Sequence, residues 1–201
     1  MSQPFVIMDV GDVLVHTVPM AHYRQLACHV GQDWRAVAAA IEASGIVSRF
    51  ETGQLTEATF AEALRAALGC PWLADDDVQR AWQAVIGPAD SAVGAVAADL
   101  ARAGQLMLAS NTNPFHWSVV QSRLAELGIS SPAFLSFEIG SAKPAQAFFD
   151  SLIRAGLRGA REAVFVDDRM DNVAAARRCG WAGWLHRDAK ETVRHLAHLV
   201  H

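Results

Sequence analysis

Short apolar runs, each closed by polar residues, recur at wide intervals along the chain. The clearest runs and the residues that follow them are 4–8 with Asp9, 105–109 with Ser110 and 163–166 with Asp167, and shorter signals end near Ser136 and His186. Apolar runs of this length, bounded by turn-forming residues, are typical of buried β-strands. We therefore predict a sheet whose strands end at these polar residues.

Helical patterns lie between the strand signals. Apolar residues return there at spacings of three and four, which is the period of an amphipathic helix. The predicted helices cover residues 91–103, 114–127, 144–155, 170–179 and 189–200, and glycines at 104, 128, 156 and 180 follow the first four of them. Glycine commonly ends a helix at that position. The alternation of strands and helices predicts an α/β fold with a parallel sheet.

The segment 16–87 shows no comparable strand signal. Its clearest pattern, in residues 58–68, places Phe60, Leu64 and Leu68 at four-residue spacing and predicts an amphipathic helix. Ligands of open α/β sheets collect outside the carboxyl ends of the strands. We therefore expect an active site in a cleft between two parts of the chain. These parts are a core of residues 1–15 and 88–201 and an inserted helical cap of residues 16–87.

Asp9 is the candidate nucleophile. It follows the first apolar run and opens a turn, so its carboxylate can be presented at the carboxyl edge of the sheet. The second run ends in Ser110, and Pro114 stands at a first helical position with Asn113 as its N-cap. A serine hydroxyl beside a helix N-terminus is typical of a phosphate site.

Charged residues mark two further segments. Lys143 precedes Pro144, at which we expect a helix to begin, and Asp167, Asp168 and Asp171 follow the third apolar run. Carboxylates packed this closely repel one another, and a hard divalent cation is the usual remedy. Asp171 has a second interpretation, as a cap of the helix that follows.

Composition narrows the range of partners. The chain has 201 residues, of which 52% are hydrophobic, and this is enough for one core and a small second lobe. A net charge of −4 and scattered basic residues disfavour nucleic acid as a partner. No run approaches the roughly 20 apolar residues that span a bilayer, and no signal-like pattern opens the chain, so we expect no membrane partner and a cytoplasmic location. Three widely spaced cysteines predict neither a disulfide framework nor a zinc site.

Taken together, the four segments resemble the signature motifs of the haloacid dehalogenase-like (HAD) hydrolase superfamily. They read strand-Asp, strand-Ser, Lys-Pro and strand-Asp-Asp in that order, and they span nearly the whole chain. The chain is most similar to small sugar-phosphate phosphatases with a helical cap, through Asp-x-Gly-x-Val, Ser-Asn-Thr-Asn and the segment 50–68. This resemblance implies a Rossmann-like core and a Mg2+-dependent phosphatase of a small phosphorylated metabolite, with sugar phosphates among the candidates.

The resemblance also implies a division of roles among the motif residues. Asp9 would attack phosphorus and form an aspartyl-phosphate. The phosphate would be bound by the side chains of Ser110 and Lys143 and by the backbone amides of Val10, Gly11 and Asn111.

The metal site follows from the same resemblance. Mg2+ would be held by Asp9, the backbone carbonyl of Gly11 and Asp168. Asp167 and Asp171 would act through water or by orienting the ligands. Magnesium is thus the one cofactor that the resemblance implies.

One position departs from the pattern of the superfamily. Most of its phosphatases carry a second Asp two residues after the nucleophile, which protonates the leaving group and later activates water; here that residue is Gly11. Asp12 and His16 are the nearby side chains with suitable chemistry.

Candidates for substrate specificity at the cleft are His16, Arg49, Glu51, Asn113 and Trp117.

Two other functions remain open. A 2-haloacid dehalogenase would use Asp9 to displace halide, and its relatives also tolerate loss of the second Asp. Such enzymes need no metal and typically have Ser where this chain has Asp167 and Asp168, so the acidic pair favours a phosphatase. A catalytically weak member that binds a phospho-ligand or a protein partner would be consistent with Gly11.

Overall fold

The computed structural model describes residues 4–156 and 163–199. Five strands form a parallel sheet in the order β5-β4-β1-β6-β7, and β2 and β3 pair separately as an antiparallel ribbon. The predicted α/β fold with a parallel sheet is confirmed. The strands are β1 (Phe5–Met8), β2 (Val15–Thr17), β3 (Ile86–Ala89), β4 (Leu106–Ser110), β5 (Ala133–Leu135), β6 (Ala163–Asp167) and β7 (Ala182–Leu185).

Eleven α-helices occur in the described residues. They are α1 (Ala21–Val30), α2 (Trp34–Ser44), α3 (Ile46–Glu51), α4 (Glu57–Leu68), α5 (Asp75–Gln83), α6 (Ser91–Arg102), α7 (Pro114–Glu126), α8 (Ser136–Ile139), α9 (Gln146–Arg154), α10 (Met170–Arg178) and α11 (Ala189–Leu196). Every helix predicted from the sequence has a counterpart among them. None of the described helices is long and apolar enough to cross a membrane, and the cytoplasmic location stays a prediction.

Helices cover both faces of the parallel sheet. Val6 and Met8 of β1 pack into one hydrophobic cluster with residues of α6, α7 and α11, whereas Ile7 packs into another with residues of α9 and α10. Successive side chains of a strand point to opposite faces, so a strand buried on both sides is apolar at every position. This explains the continuous apolar runs of the sequence.

The inserted helices, α1–α5, share a hydrophobic cluster of their own. At its centre the rings of Phe50 and Phe60 stack with centroids 4.1 Å apart, and Trp82 meets Phe60 edge-on at 4.7 Å. Phe115 of α7 joins the same cluster, and this residue therefore connects the inserted helices to the sheet. The assignment of residues 16–87 to a separate cap domain stays a prediction.

The structure corrects two sequence predictions. The segment 16–87 was expected to hold helices only, but its two ends enter the β2–β3 ribbon, in which Thr17 opposes Ile86. β2 reads Val-His-Thr and β3 reads Ile-Gly-Pro-Ala, so neither has the continuous apolar run that indicated the strands of the parallel sheet. A helix was also expected to begin at Pro144, but α9 begins at Gln146 because Ala145 is extended, with ψ 137°, at the N-cap.

Candidate active site

Three strand ends meet at one edge of the sheet. β1 lies between β4 and β6, and all three run parallel, so their carboxyl ends lie side by side. Asp9 follows β1, while Ser110 and Asp167 are the last residues of β4 and β6. The backbone amide of Asp9 still donates to the carbonyl of Val166, at 2.9 Å. The sheet therefore positions these three side chains through its own hydrogen bonds.

Lys143 joins two of the carboxylates. Its Nζ lies 2.9 Å from Asp9 Oδ1 and 2.7 Å from Asp167 Oδ2, and it donates to the Ala109 carbonyl at 2.6 Å. Its side chain is only 1% exposed. An ammonium group has three N–H donors, so these three oxygens use all of them.

Asn111 fixes the segment that carries Lys143. Its Nδ2 donates to the Lys143 carbonyl and its Oδ1 accepts from the Lys143 amide, both at 2.8 Å. From the sequence, only the backbone amide of Asn111 was expected to take part in the site. The structure shows that its side chain ties the loop after β4 to the loop before α9, and this holds the lysine at the strand ends.

Asp167 is fully buried and held by several donors. Its Oδ1 accepts from the backbone amide of Arg169 and from Nδ2 of Asn172, both at 2.9 Å, while its Oδ2 accepts from Lys143. Asn172 was missed in the sequence. Its signal was an amide in the first turn of α10, directly after Asp171, but sequence spacing alone does not show which side chain turns inward.

The carboxylate cluster, defined as Asp9, Asp167 and Asp168, fits a divalent cation. One oxygen from each residue lies within 4.8 Å of the others. Mg2+ binds oxygen at 2.0–2.1 Å, which places octahedral ligands about 3–4 Å apart, so small side-chain adjustments would suffice. Lys143 supplies one positive charge against three carboxylates. The remaining two negative charges match a divalent cation.

Burial and charge shift the ionisation of the cluster. Burial raises the pKa of Asp9 to about 7, with Lys143 acting against this rise and Asp167 adding to it. The pKa of Asp168 is raised in the same direction by burial and by the neighbouring carboxylate of Asp167. Burial opposes the charge of Lys143, but Asp9 and Asp167 outweigh it and raise the pKa of its ammonium group. Lys143 therefore stays protonated, and a further cation would favour ionised carboxylates.

A cavity of about 200 Å3 is lined by Val10 and Gly11, which follow Asp9 in the chain, and by Ser110 at the end of β4. Asp9, Lys143, Asp167 and Asp168 are not among its lining residues. We call it the site cavity. Apolar residues make up half of its lining, and the polar part comes from both sides of the molecule: Thr17, Glu51, Ser110, Asn111, Thr112 and His116. A larger depression, of about 400 Å3, lies at α1 and the start of α2 and contains none of the predicted site residues.

The turn after α3 lies against the backbone of α8. Gly53 has φ 69°, and a Cβ at this position would overlap the backbone carbonyl of Phe137 in α8. The neighbouring Ser136 is buried, and its hydroxyl hydrogen-bonds to the amide and carbonyl of Thr112 at 2.9 and 3.0 Å. Glu51 and Thr112, two lining residues of the site cavity, are thereby connected through α8.

His116 lines the site cavity but is not among the residues predicted for substrate specificity. Its Nε2 lies 3.1 Å from the Trp82 carbonyl and its Nδ1 lies 3.0 Å from Nδ2 of Asn113. The carbonyl requires a proton on Nε2, and the amide N–H then donates to Nδ1, so both contacts select the neutral ring. Burial, and secondarily the charge of His22, lower the pKa of His116 to about 4. His116 therefore lines the site cavity with a neutral imidazole ring.

Several predicted specificity residues lie elsewhere. Asn113 is fully buried and caps α7 by accepting from the His116 amide at 3.1 Å. Trp117 packs against the sheet cluster and borders a different cavity, beside Leu124. Arg49 is exposed. None of the three is among the residues that line the site cavity, whereas Glu51 is.

The remaining ionisable candidates have partners of their own. His16 lies 3.7 Å from Asp90, with about half of its side chain exposed. The carboxylate of Asp12 accepts from the amide and hydroxyl of Thr17 at 2.8 and 2.7 Å. Asp171 is paired with Arg169 at 3.0 Å and lies at the second residue of α10, so it is neither the N-cap nor a member of the carboxylate cluster.

Solved structures resemble this one over almost the whole chain. A HAD family enzyme from Bacteroides thetaiotaomicron, in complex with magnesium and inorganic phosphate, matches with a TM-score of 0.79 and 21% identity, over 92% of this chain and 95% of that one. A predicted HAD-like family hydrolase from Porphyromonas gingivalis matches with 0.82 and 22%, over 99% and 98%. An L-2-haloacid dehalogenase matches with 0.64 and 17%, over 98% and 100%.

Sequence comparison adds nothing to this structural likeness. No protein-family model and no curated protein sequence matches the chain. The structural matches extend over both the sheet and the inserted helices, and the strand order and strand ends described above are consistent with them. The chain therefore has the fold of the HAD-like hydrolases.

Proposed function

We propose that the chain is a Mg2+-dependent phosphatase of the HAD superfamily, which hydrolyses a small phosphorylated metabolite through an aspartyl-phosphate on Asp9. The observation that carries this proposal is the arrangement of Asp9, Lys143 and Asp167 at the strand ends, with Asp168 completing the carboxylate cluster. A similar fold has been solved with both magnesium and inorganic phosphate.

Asp9 is oriented for attack by one of its two oxygens. Its Oδ1 accepts from the amide of Val10 at 2.7 Å and from Lys143 at 2.9 Å. Within the described residues, Oδ2 has no hydrogen-bond partner. In the proposed reaction, Oδ2 forms a bond to phosphorus while the bond from phosphorus to the leaving-group oxygen breaks. Water then hydrolyses the aspartyl-phosphate and releases phosphate.

The metal would be held by Asp9, Asp168 and the backbone carbonyl of Gly11, with Asp167 orienting the site. When bound, Mg2+ would neutralise negative charge on the transferring oxygens. Asp167 suits the orienting role because Arg169, Asn172 and Lys143 already occupy its oxygens.

The phosphate would be held by Ser110 and by the positive charge of Lys143. Ser110 lines the site cavity, and its hydroxyl has no hydrogen-bond partner in the described part of the chain. Lys143 has no spare donor, so it acts through charge unless one of its oxygen partners is exchanged. The amide of Val10 is occupied by Asp9 Oδ1, so of the three predicted backbone donors we retain Gly11 and Asn111.

The cavity supports a small substrate. Its volume of about 200 Å3 is below the roughly 300–1,000 Å3 of sites that enclose drug-sized ligands. A phosphate with a short-chain or single-ring alcohol suits this space better than a nucleotide or a phosphorylated protein. Valine and isoleucine side chains form much of the lining, so one face of the leaving group should be apolar.

The principal rival is a 2-haloacid dehalogenase, since such an enzyme shares the fold. The carboxylate cluster favours the phosphatase because a metal-free halide displacement has no use for a second and third carboxylate at the nucleophile. A catalytically weak binding protein is the other rival, on the evidence of Gly11 alone.

The discriminating experiment is a screen of phosphorylated metabolites and 4-nitrophenyl phosphate, with and without Mg2+, alongside chloroacetate. We expect phosphate release that EDTA abolishes and Mg2+ restores, and no release of chloride. Asp168→Ala should lose both Mg2+ affinity and turnover, whereas Asp188→Ala, at the exposed N-cap of α11, should lose neither. Full phosphatase activity in metal-free enzyme, or chloride release, would overturn the proposal.

A further inference from the structure

The site cavity contains one acid, and it comes from the inserted helices. Among the described residues that line the cavity, only Glu51 and His116 are ionisable. Glu51 is the last residue of α3, and Gly11, Ser110 and Asn111 line the same cavity from the sheet side. A carboxyl group therefore faces the phosphate-binding residues across a cavity of about 200 Å3.

The Glu51 carboxylate is left without a partner. In the described part of the chain it makes no hydrogen bond and no ion pair, although the residue is half-buried. A buried polar group that lacks a partner costs stability, so such groups cluster at functional sites. Burial raises the pKa of Glu51 above its ordinary value, which favours a protonated carboxyl group.

We propose that Glu51 is the general acid and base of the reaction and takes the place of the carboxylate missing at Gly11. This inference rests on the proposed phosphatase function. The Glu51 carboxyl gives its proton to the leaving-group oxygen as the bond from that oxygen to phosphorus breaks and Asp9 Oδ2 bonds to phosphorus. The resulting carboxylate then accepts a proton from the water that attacks the aspartyl-phosphate. The carbon–oxygen bond of the alcohol stays intact, and Glu51 ends protonated as it began.

The other candidates are less suited to this role. His116 is held neutral, with its N–H donated to the Trp82 carbonyl. Both carboxylate oxygens of Asp12 accept hydrogen bonds from Thr17, and His16 lies beside Asp90. Neither Asp12 nor His16 lines the site cavity. The pKa of Tyr23 in α1 is raised by burial first and then by the charges of Glu42 and Glu51. Tyr23 is 6% exposed and belongs to the hydrophobic cluster of the inserted helices.

Leaving groups of different basicity test the proposal directly. An alkyl phosphate needs protonation of its leaving oxygen, whereas 4-nitrophenyl phosphate does not. Glu51→Gln keeps the size of the side chain and removes the proton. We expect kcat/KM to fall ~100-fold or more on an alkyl phosphate and less than ~5-fold on 4-nitrophenyl phosphate, because general acid catalysis contributes ~10^2–10^4. Glu62→Gln, an exposed position on α4, should change neither rate.

A rescue variant separates chemistry from folding. A Cβ at Gly11 would meet only Cγ2 of Thr17, at 3.8 Å, which is an ordinary contact. In the Glu51→Gln background, Gly11→Asp should therefore restore at least ~10-fold of the lost alkyl-phosphate activity, while Gly11→Asn, which has no proton to give, should restore none.

The outcomes separate this proposal from the proposed function. An equal loss on both substrates would make Glu51 a positioning residue and overturn the acid–base role, and wild-type rates in Glu51→Gln would overturn it as well. In both cases, Mg2+-dependent hydrolysis by the wild-type chain would leave the phosphatase assignment standing. Absence of phosphatase activity in the wild-type chain would overturn both.

Discussion

The two sides of the site differ in how their charges are satisfied. On the sheet side, Lys143 donates its three N–H groups to Asp9, Asp167 and a backbone carbonyl. Asp167 accepts three hydrogen bonds. On the helical side, Glu51 has no partner among the described residues. A fully paired network is rigid and preorganised for one reaction. An unpaired carboxyl group is free to interact with a substrate, so we expect the sheet side to hold the nucleophile and the metal and the helical side to supply the proton donor.

The largest effect should come from removing the nucleophile. Asp9→Asn keeps the shape of the side chain and the contacts of its amide oxygen, but its attacking oxygen is lost. We expect kcat/KM for the best phosphate ester to fall ~10^4-fold or more, equivalent to about 5.4 kcal/mol of barrier. Asp171→Asn, at an exposed ion pair, should stay within ~3-fold of wild type. Wild-type turnover by Asp9→Asn would exclude the aspartyl-phosphate.

The next effect tests the pairing on the sheet side. Lys143→Met leaves Asp9 and Asp167 buried without their cation, and breaking a buried ion pair costs about 3–5 kcal/mol. Urea unfolding in metal-free buffer should show this loss in the free energy of unfolding. The chain has one other lysine, Lys190, which is exposed, and Lys190→Met should change stability by less than ~0.5 kcal/mol. Equal stability of the two variants would contradict the proposed charge balance.

A smaller effect concerns the pH dependence of stability, through His116 of α7 and its contact with Trp82 of α5. The pKa of His116 is lowered from 6.5 to about 4 by burial first, so the unfolded chain binds more protons than the folded chain between those values. Stability contributed by the neutral ring is complete above about pH 6.5 and is lost as pH falls toward 4, at no more than about 1.4 kcal/mol per pH unit.

Unfolding measured from pH 7 to pH 4.5 would check this dependence. His116→Gln should flatten the slope of the free energy of unfolding against pH. Identical slopes in wild type and His116→Gln would show that the ring gains its proton without cost in the folded chain.

The smallest effect should come from Asp12, which lies near the cluster but outside the site cavity. Its carboxylate accepts hydrogen bonds from the amide and hydroxyl of Thr17, the last residue of β2. Asp12→Ala should therefore lower kcat/KM less than tenfold, under about 1.4 kcal/mol of barrier. A thousandfold loss, with folding and Mg2+ affinity unchanged, would move the acid–base role from Glu51 to Asp12.

The sequence predicted the sheet and the ends of its strands because strands that are buried on both faces have continuous apolar runs. It could not predict the β2–β3 ribbon, because polar residues, glycine and proline interrupt the apolar residues of both strands. It placed the helix start at Pro144, since proline favours a first helical position, but the extended Ala145 delays the start to Gln146.

At the site, sequence order identified the residues of the carboxylate cluster and Lys143 but could not give their partners. Asn111 and Asn172 hold Lys143 and Asp167 across separations of 32 and 5 residues, and only tertiary packing sets these contacts. Trp117 and His116 are adjacent in the chain, yet only His116 lines the site cavity. A one-residue step on a helix turns a side chain by about a quarter of a turn, so the choice between neighbours depends on how α7 is rotated.

Gly53 brings the turn after α3 into direct contact with the backbone of α8. Any L-amino acid other than glycine would add an atom where the backbone of α8 already stands, in a left-handed conformation that such residues rarely adopt. The close approach of this turn to α8 thus depends on the absence of a side chain at position 53, two residues from Glu51. We expect a larger residue at 53 to push the turn away from α8 and to displace Glu51, so a position outside the site cavity would alter the lining of that cavity.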